Sequence, residues 1–498
     1  MERNLNKAIA VGAAWMMGLR LSYRLIGFVS TAILARLLSP EDFGVVAIAM
    51  SFFALIDIFS KLGFQTVLIQ NQDSSIDHYN SAWTFNLLFG LLSAVLLVAI
   101  SGSIATFYQN QNIEMVLWVV SLLFILNGIK NVGVVDFQKE LTFDKEFKLV
   151  IIPKFISFFV TISIALYCLN FWALVAGNVI WKLLEVIASY KMHSFRPKIC
   201  FKRGKELFGF SKWLMVNNVF YYLNLRSPEL ILGKMISPQA AAIYNLSFEI
   251  GTMSTSEVIS NLNRAIYPGY AKVSSQLSEL QSLYKNSIRA IAVIAMPLGA
   301  GVALVSPWLV PLFLGDQWLD AIVPVSYLAL GGAVNALGSN VSYIYYALGR
   351  PRISTFELGF KALVFVTSIY FLVNDNGVVG AAQSFLLTNL VSLVVSCLVL
   401  RIVLKISIFE QLWLYAKPFF ASLLMSGVVA LMMIVFPLSG FLGLLSYAMA
   451  GAAIYVFTLY LVWAFNGKPD GIEAKVFNYI FVKVGVLIRG DTSGRQDI

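Results

Sequence analysis

A chain of 498 residues that is 59% hydrophobic and 12% charged lacks the charged surface of a soluble domain, in which about a quarter of residues carry charge. Its formal charge of +10 would suit nucleic acid, but the cations are placed too unevenly for that, as the loops below show. Three scattered cysteines and two histidines provide no disulfide framework and no CxxC pair, and argue against a metal centre or histidine-based catalysis.

Apolar runs long enough to cross ~30 Å of hydrocarbon recur about fourteen times. In chain order the predicted spans have cores near 10–37, 43–69, 80–105, 112–135, 147–168, 171–191 and 207–235. The second half continues with 239–264, 286–313, 320–347, 353–374, 377–400, 411–435 and 441–465. The first run is too long for a signal-peptide core and contains Arg20 and Arg24, so it is retained as span 1. The longest central link, 192–206, holds the densest basic run and falls between spans 6 and 7, where a seam between lobes is expected. Residues 268–285 space Leu277, Leu280 and Tyr284 three and four apart, which predicts a surface helix joining spans 8 and 9. After Phe465 a breaker cluster, Asn-Gly-Lys-Pro-Asp-Gly, opens a tail whose stretch Ile472–Leu487 is weakly amphipathic.

A long-period echo runs through this pattern. Leu34-Ala35-Arg36-Leu37-Leu38-Ser39-Pro40 returns as Leu232-Gly233-Lys234-Met235-Ile236-Ser237-Pro238, displaced by 198 residues, and the same displacement puts Trp15 over Trp213. The expected architecture is therefore an all-α integral membrane protein with two six-helix lobes, 1–206 and 207–410. A further pair of helices, 411–465, and a cytoplasmic tail, 466–498, complete it. The two copies are separated by an even number of crossings, so the lobes relate by a pseudo-two-fold along the membrane normal. Assigned alternately to two sides, the loops put nearly all their Lys and Arg on one side. Those around 38–42, 106–111, 169–170, 314–319, 374–376 and 436–440 have none. The rule that positive loops stay inside then places both termini in the cytoplasm.

Charges within the spans are costly, at least ~2.5 kcal/mol for a cation at the centre, so each one requires a partner, a watery cavity or a route to the surface. Arg20 and Arg24 share one face of span 1, and Arg24 lies near mid-span, which favours a cavity-facing role. Arg36 and Lys234 end their spans and read as interfacial anchors. In span 7, Asn218, Tyr222, Arg226 and Glu229 form a polar stripe beside Pro228. This is either a substrate and gating surface or an internal Arg226–Glu229 ion pair at a kink. Glu249 and Glu257 in span 8 are eight apart and leave proton or sodium exchange open. Asp57 with Lys61, Glu357 with Lys361, and Lys182 with Glu185 have helical ion-pair spacing and read as self-neutralising. Lys154 beside Pro153, and Lys361 at similar depth, are candidates to meet an anionic headgroup. Interior cations outnumber acids, which points to an anionic cargo. No nucleophile elbow, Walker loop or zinc spacing supports chemistry, and no cofactor is implied.

Several stretches carry a family resemblance. They are Ala35-Arg36-Leu37-Leu38-Ser39-Pro40-Glu41-Asp42-Phe43-Gly44, Leu62-Gly63-Phe64-Gln65-Thr66-Val67-Leu68-Ile69-Gln70, Phe137-Gln138-Lys139-Glu140-Leu141-Thr142-Phe143 and Phe171-Trp172-Ala173-Leu174-Val175. In the second half they are Ile243-Tyr244-Asn245-Leu246, Tyr267-Pro268, Leu314-Gly315-Asp316-Gln317-Trp318 and Ala347-Leu348-Gly349-Arg350. In this order the chain resembles the polysaccharide (Wzx-type) flippases of the multidrug/oligosaccharidyl-lipid/polysaccharide exporter superfamily, from about Trp15 to Trp463. The resemblance implies transfer of an undecaprenyl-pyrophosphate-linked oligosaccharide between leaflets of the bacterial inner membrane, through a cationic inter-lobe cavity. It also implies membrane lipids, a polymerase and chain-length machinery as partners. Tyr23-Arg24-Leu25-Ile26-Gly27-Phe28 looks like the segment that puts an arginine into that cavity, and Arg226-Ser227-Pro228-Glu229 is similar to a family pattern of arginine followed by an acid. Two departures are Pro228, where an aliphatic residue is usual, and Lys61, where a small or acidic one is. A cation or drug antiporter of the same superfamily would instead want acids in the cavity. A membrane polysaccharide polymerase or ligase would need an appreciable outer loop, and the outer loops here are a few residues long.

Overall fold

Inside hydrocarbon a backbone N–H or C=O has no water to bond, so each apolar run must satisfy its own backbone by winding into a helix. In the computed structural model, residues 2–60, 64–70, 74–204 and 211–465 are described, and among them the chain is helical without strands. Lys61, Lys205 and the stretch Ile472–Leu487 lie outside the described residues.

The first half comprises α1 (Glu2–Leu37), α2 (Pro40–Ser60), α3 (Phe64–Gln70), α4 (Ile76–Tyr108), α5 (Gln111–Ile129), α6 (Asp136–Lys139), α7 (Phe143–Cys168) and α8 (Trp172–Met192). The second comprises α9 (Ser211–Met235), α10 (Pro238–Lys272), α11 (Leu277–Phe313), α12 (Ile322–Ser339), α13 (Val341–Ala347), α14 (Pro351–Val403), α15 (Ile408–Val435) and α16 (Gly440–Phe465). Among the described residues, nine helical segments are both long and apolar enough to cross a membrane. With 36, 25 and 35 residues, α1, α9 and α10 also exceed the ~20 needed to span, although charged and amide side chains interrupt them. The chain is an all-α, multi-pass membrane protein.

The short turn expected between spans near 375 is a sharp bend within α14. Gly377 adopts φ +57° and ψ −132°, a backbone conformation closed to residues with a Cβ, and this reverses the chain without a loop. The surface helix expected over 268–285 does not form. α10 runs on to Lys272, and α11 starts at Leu277 and continues unbroken into its span. Leu280 and Tyr284 are fully buried, packed with Ile288, Tyr345, Leu404 and Tyr415. Their spacing marked a covered face, and protein rather than headgroups covers it.

Contacts divide the chain into two compact units. Unit 1 is Met1–Asn245 with Phe313–Trp318 and Val373–Val378; unit 2 is Leu246–Leu312, Leu319–Leu372 and Val379 onward. Within unit 1, α1 packs on α7, α4 on α5, α7 on α8, and α2 on both α5 and α9. Both copies of the sequence echo therefore lie in unit 1, where they do the same local job. Leu38 N–H closes back on the Leu34 carbonyl and Ile236 N–H on that of Leu232, before a Ser-Pro pair starts the next helix. Ser39 caps α2 reciprocally with Asp42, while Ser237 Oγ accepts from Ala240 N–H at 3.2 Å. The two turns meet at Gly44, where any Cβ would overlap the carbonyl oxygen of Pro238. The Leu314–Trp318 stretch also belongs here. Trp318 Nε1 donates to the Ala35 carbonyl at 2.8 Å and Gln317 Nε2 to that of Leu38 at 2.9 Å, so the open carbonyls at the end of α1 are taken. In unit 2, Gly301 on α11 and Ala448, Gly451 and Ala452 on α16 leave an apolar cavity of about 510 Å³ beside α15.

Candidate polar sites within the spans

The polar stripe of α9 builds the most connected site in unit 1. Arg226 Nη1 donates to Glu229 Oε1 at 2.7 Å and to Oε2 at 3.0 Å, and Glu229 is only 3% exposed. The same carboxylate accepts from Ser51 Oγ on α2 and from Asn245 Nδ2 on α10. Tyr222, also buried, donates to the Ser51 carbonyl at 3.1 Å, and Tyr108 donates to the Leu230 carbonyl at 3.1 Å. Three helices, α2, α4 and α10, thus converge on one stretch of α9. Pro228, buried within it, has no N–H to return to the carbonyl one turn back, which weakens the helix where side-chain bonds are densest. Of the two roles open to Arg226 and Glu229 from the sequence, the ion pair is formed, and 30% of the arginine side chain stays exposed. Asn218, two turns earlier on α9, is half-buried.

A second cluster joins α1, α7 and α8. Lys154 Nζ lies 4.5 Å from the ring centre of Trp181 and 5.3 Å from that of Tyr23, and Lys182 Nζ lies 4.6 Å from Trp181. Such contacts place an ammonium against the negative face of the ring. Lys182 meets Glu185 at 2.9 Å, as the spacing predicts, but Glu185 also takes Lys130 at 2.6 Å. Sequence reasoning missed Lys130, whose partner is 55 residues away; its place at the end of an apolar run was the signal. The Trp181 indole N–H is buried without an acceptor. On α1, Arg20 is half-buried and Arg24 is exposed, one turn apart on the same face.

In unit 2, Glu249 and Glu257 are half-buried on α10. The expected Glu357–Lys361 pair is corrected. Glu357 Oε1 instead accepts from Tyr345 OH at 2.8 Å, while Lys361 Nζ donates to Asn335 Oδ1 and Asn389 Oδ1, each at 2.7 Å. Helical spacing allowed the pair, but Tyr345 on α13, Asn335 on α12 and Asn389 on the far arm of α14 reach these groups first. Lys61, the proposed partner of Asp57, lies outside the described residues.

Comparison with known proteins adds to this geometry. Residues 33–323 match the family described as polysaccharide biosynthesis protein. The chain is 23% identical over 432 residues to the lipopolysaccharide biosynthesis protein WzxC of Escherichia coli (strain K12), covering 84% of this chain and 86% of that protein. It is likewise 23% identical over 432 residues to the teichuronic acid biosynthesis protein TuaB of Bacillus subtilis (strain 168), covering 86% and 89%. A solved structure of the lipid II flippase MurJ, in an inward closed conformation, aligns with a TM-score of 0.71 at 13% identity. That alignment covers 91% of this chain and 99% of the other, and shows a common fold.

Proposed function

The chain belongs to the polysaccharide biosynthesis protein family, and from that premise we propose that it moves a polyprenyl-pyrophosphate-linked oligosaccharide from the inner to the outer leaflet of a bacterial inner membrane. The observation that carries this reading is the family match over residues 33–323, a stretch that includes Lys154 and Arg226. The fold held in common with a lipid II flippase supports it. On this reading Arg20, Arg24, Lys154, Arg226 and Lys361, with Asn218 and Tyr222, receive the headgroup in a cationic cavity, which two lobes expose alternately to each side. Glu229, Glu249, Glu257 and Pro228 serve coupling and gating, and the polymerase and chain-length machinery take the product onward. The protein is a transporter and not an enzyme.

The electrical driving force is adequate without a coupling ion. A pyrophosphate bears about two negative charges, and an inside-negative potential favours their outward passage by ~2.3 kcal/mol per charge per 100 mV. The test is transport of a labelled undecaprenyl-pyrophosphate oligosaccharide in proteoliposomes, scored by its accessibility to an enzyme added outside. Transfer should exceed that in protein-free vesicles and fall at least tenfold in Arg24→Ala at equal protein level. Uptake of organic cations with no transfer of the lipid-linked sugar would instead establish an antiporter.

A further inference from the structure

Lys361 lies about 15 Å along α14 from its start, deep within a spanning helix. An ammonium at such depth must have its charge solvated, and here only two of its three N–H groups have described acceptors, the amide oxygens of Asn335 and Asn389. Both acceptors are neutral. Glu357, one turn earlier, makes its bond to Tyr345 instead, so no described carboxylate bonds the ammonium. The ammonium is hydrogen-bonded without meeting a described carboxylate.

The two asparagines differ. Asn389 is 2% exposed, and its Nδ2 donates to the Phe385 carbonyl at 2.8 Å, so both ends of that amide are fixed. Asn335 is half-buried, and its carbonyl oxygen is turned to Lys361. Its NH₂, on the opposite prong of the amide, has no described acceptor. An ammonium N–H and an amide NH₂, neither with a described acceptor, are therefore linked through one carbonyl oxygen, with Asn389 as the fixed third residue. Oxyanions bind to donor sets of this kind, and charge-assisted bonds are about twice as strong as neutral ones.

We propose that Lys361 and Asn335 form an oxyanion-receiving fork in unit 2, with Asn389 as its fixed back, and that its ligand is a phosphate or carboxylate group of the transported glycolipid. The proposal rests on the flippase reading and deepens it. Amides suit this task better than acids. A carboxylate at position 335 or 389 would neutralise the lysine permanently and leave no charge for the cargo to meet.

Asn335→Asp is the decisive variant, because it replaces an amide by a carboxylate of the same shape beside the ammonium and so preserves or strengthens the fold. Two measurements are made on the purified, full-length protein. In the first, inorganic pyrophosphate and sodium glucuronate are added separately in detergent and the melting temperature is followed. Pyrophosphate should raise that of the wild type, and the rise should vanish in Asn335→Asp and in Lys361→Met. A rise with glucuronate alone would assign the fork to an acidic sugar rather than to the lipid phosphate. No rise with either anion, or an equal rise in wild type and Asn335→Asp, overturns the proposal. In the second, the proteoliposome assay compares the same proteins. Asn335→Asp should transfer lipid-linked oligosaccharide at least tenfold more slowly, and Lys361→Arg should retain more activity than Lys361→Met. Wild-type rates in Asn335→Asp would leave the flippase reading standing and reduce the trio to a structural clasp. A wild type that transfers nothing would overturn the flippase reading, and the anion response in detergent would still decide whether the fork binds an oxyanion.

Discussion

Arg226 and Lys361 are both cations on membrane-spanning helices, and their surroundings differ. Arg226 is matched by Glu229, whose carboxylate also gathers Ser51 and Asn245, so α2, α9 and α10 are tied through one neutralised centre. Lys361 is matched by two amides and by no described carboxylate. The first arrangement is a joint shared by several partners, in which removing the carboxylate leaves the others stranded. The second is costlier to maintain in a low dielectric, and that cost is reasonable where an anion arrives to offset it.

The contrast can be tested from the joint outward. Glu229→Gln keeps the shape and removes the charge, leaving Arg226 unneutralised and weakening the bonds from Ser51 and Asn245. It should lower unfolding stability in detergent by about 3 kcal/mol, read from chemical denaturation. An unchanged midpoint would mean that Arg226 is solvated as independently as Lys361, and the contrast would collapse. Gly377→Ala acts on the other side of the comparison. It forces a Cβ into a conformation that only glycine adopts, at a cost of about 2 kcal/mol. It also opens the bend between the two arms of α14 that bring Lys361 to Asn389, so any pyrophosphate response should shrink along with the melting temperature. A stable variant with full response would free the fork from that geometry. Lys130→Met is the mildest change. Glu185 keeps Lys182, and Lys130 is 23% exposed, so the loss should stay below about 1 kcal/mol in the same denaturation experiment. A loss as large as that of Glu229→Gln would make the α5–α8 contact a second joint.

The helical spans and the paired Ser-Pro turns were legible because each rests on a local rule: a run of about twenty apolar residues, or a proline that starts a helix where no N–H is needed. The Lys182–Glu185 pair was legible for the same reason, being one turn of one helix. Legibility failed where the deciding partner was remote. Glu357 and Lys361 had correct spacing, yet Tyr345, Asn335 and Asn389 determine their bonds. Leu280 and Tyr284 announced a covered face, and a stripe of apolar residues reads alike whether lipid headgroups or Tyr415 cover it. Arg226 and Glu229 had two readings because spacing alone does not reveal Ser51, 178 residues away, or what else shares the carboxylate.

The clasp at the end of α1 has a consequence for how the protein is made. Carbonyls of Ala35 and Leu38 are taken up by Gln317 and Trp318, residues synthesised some 280 positions later. While the ribosome is still building the intervening helices, the exit of the first helix can be satisfied only by water at the bilayer surface. Its final seat is fixed after α11 has been inserted, so α1 settles later than helices that follow it along the chain.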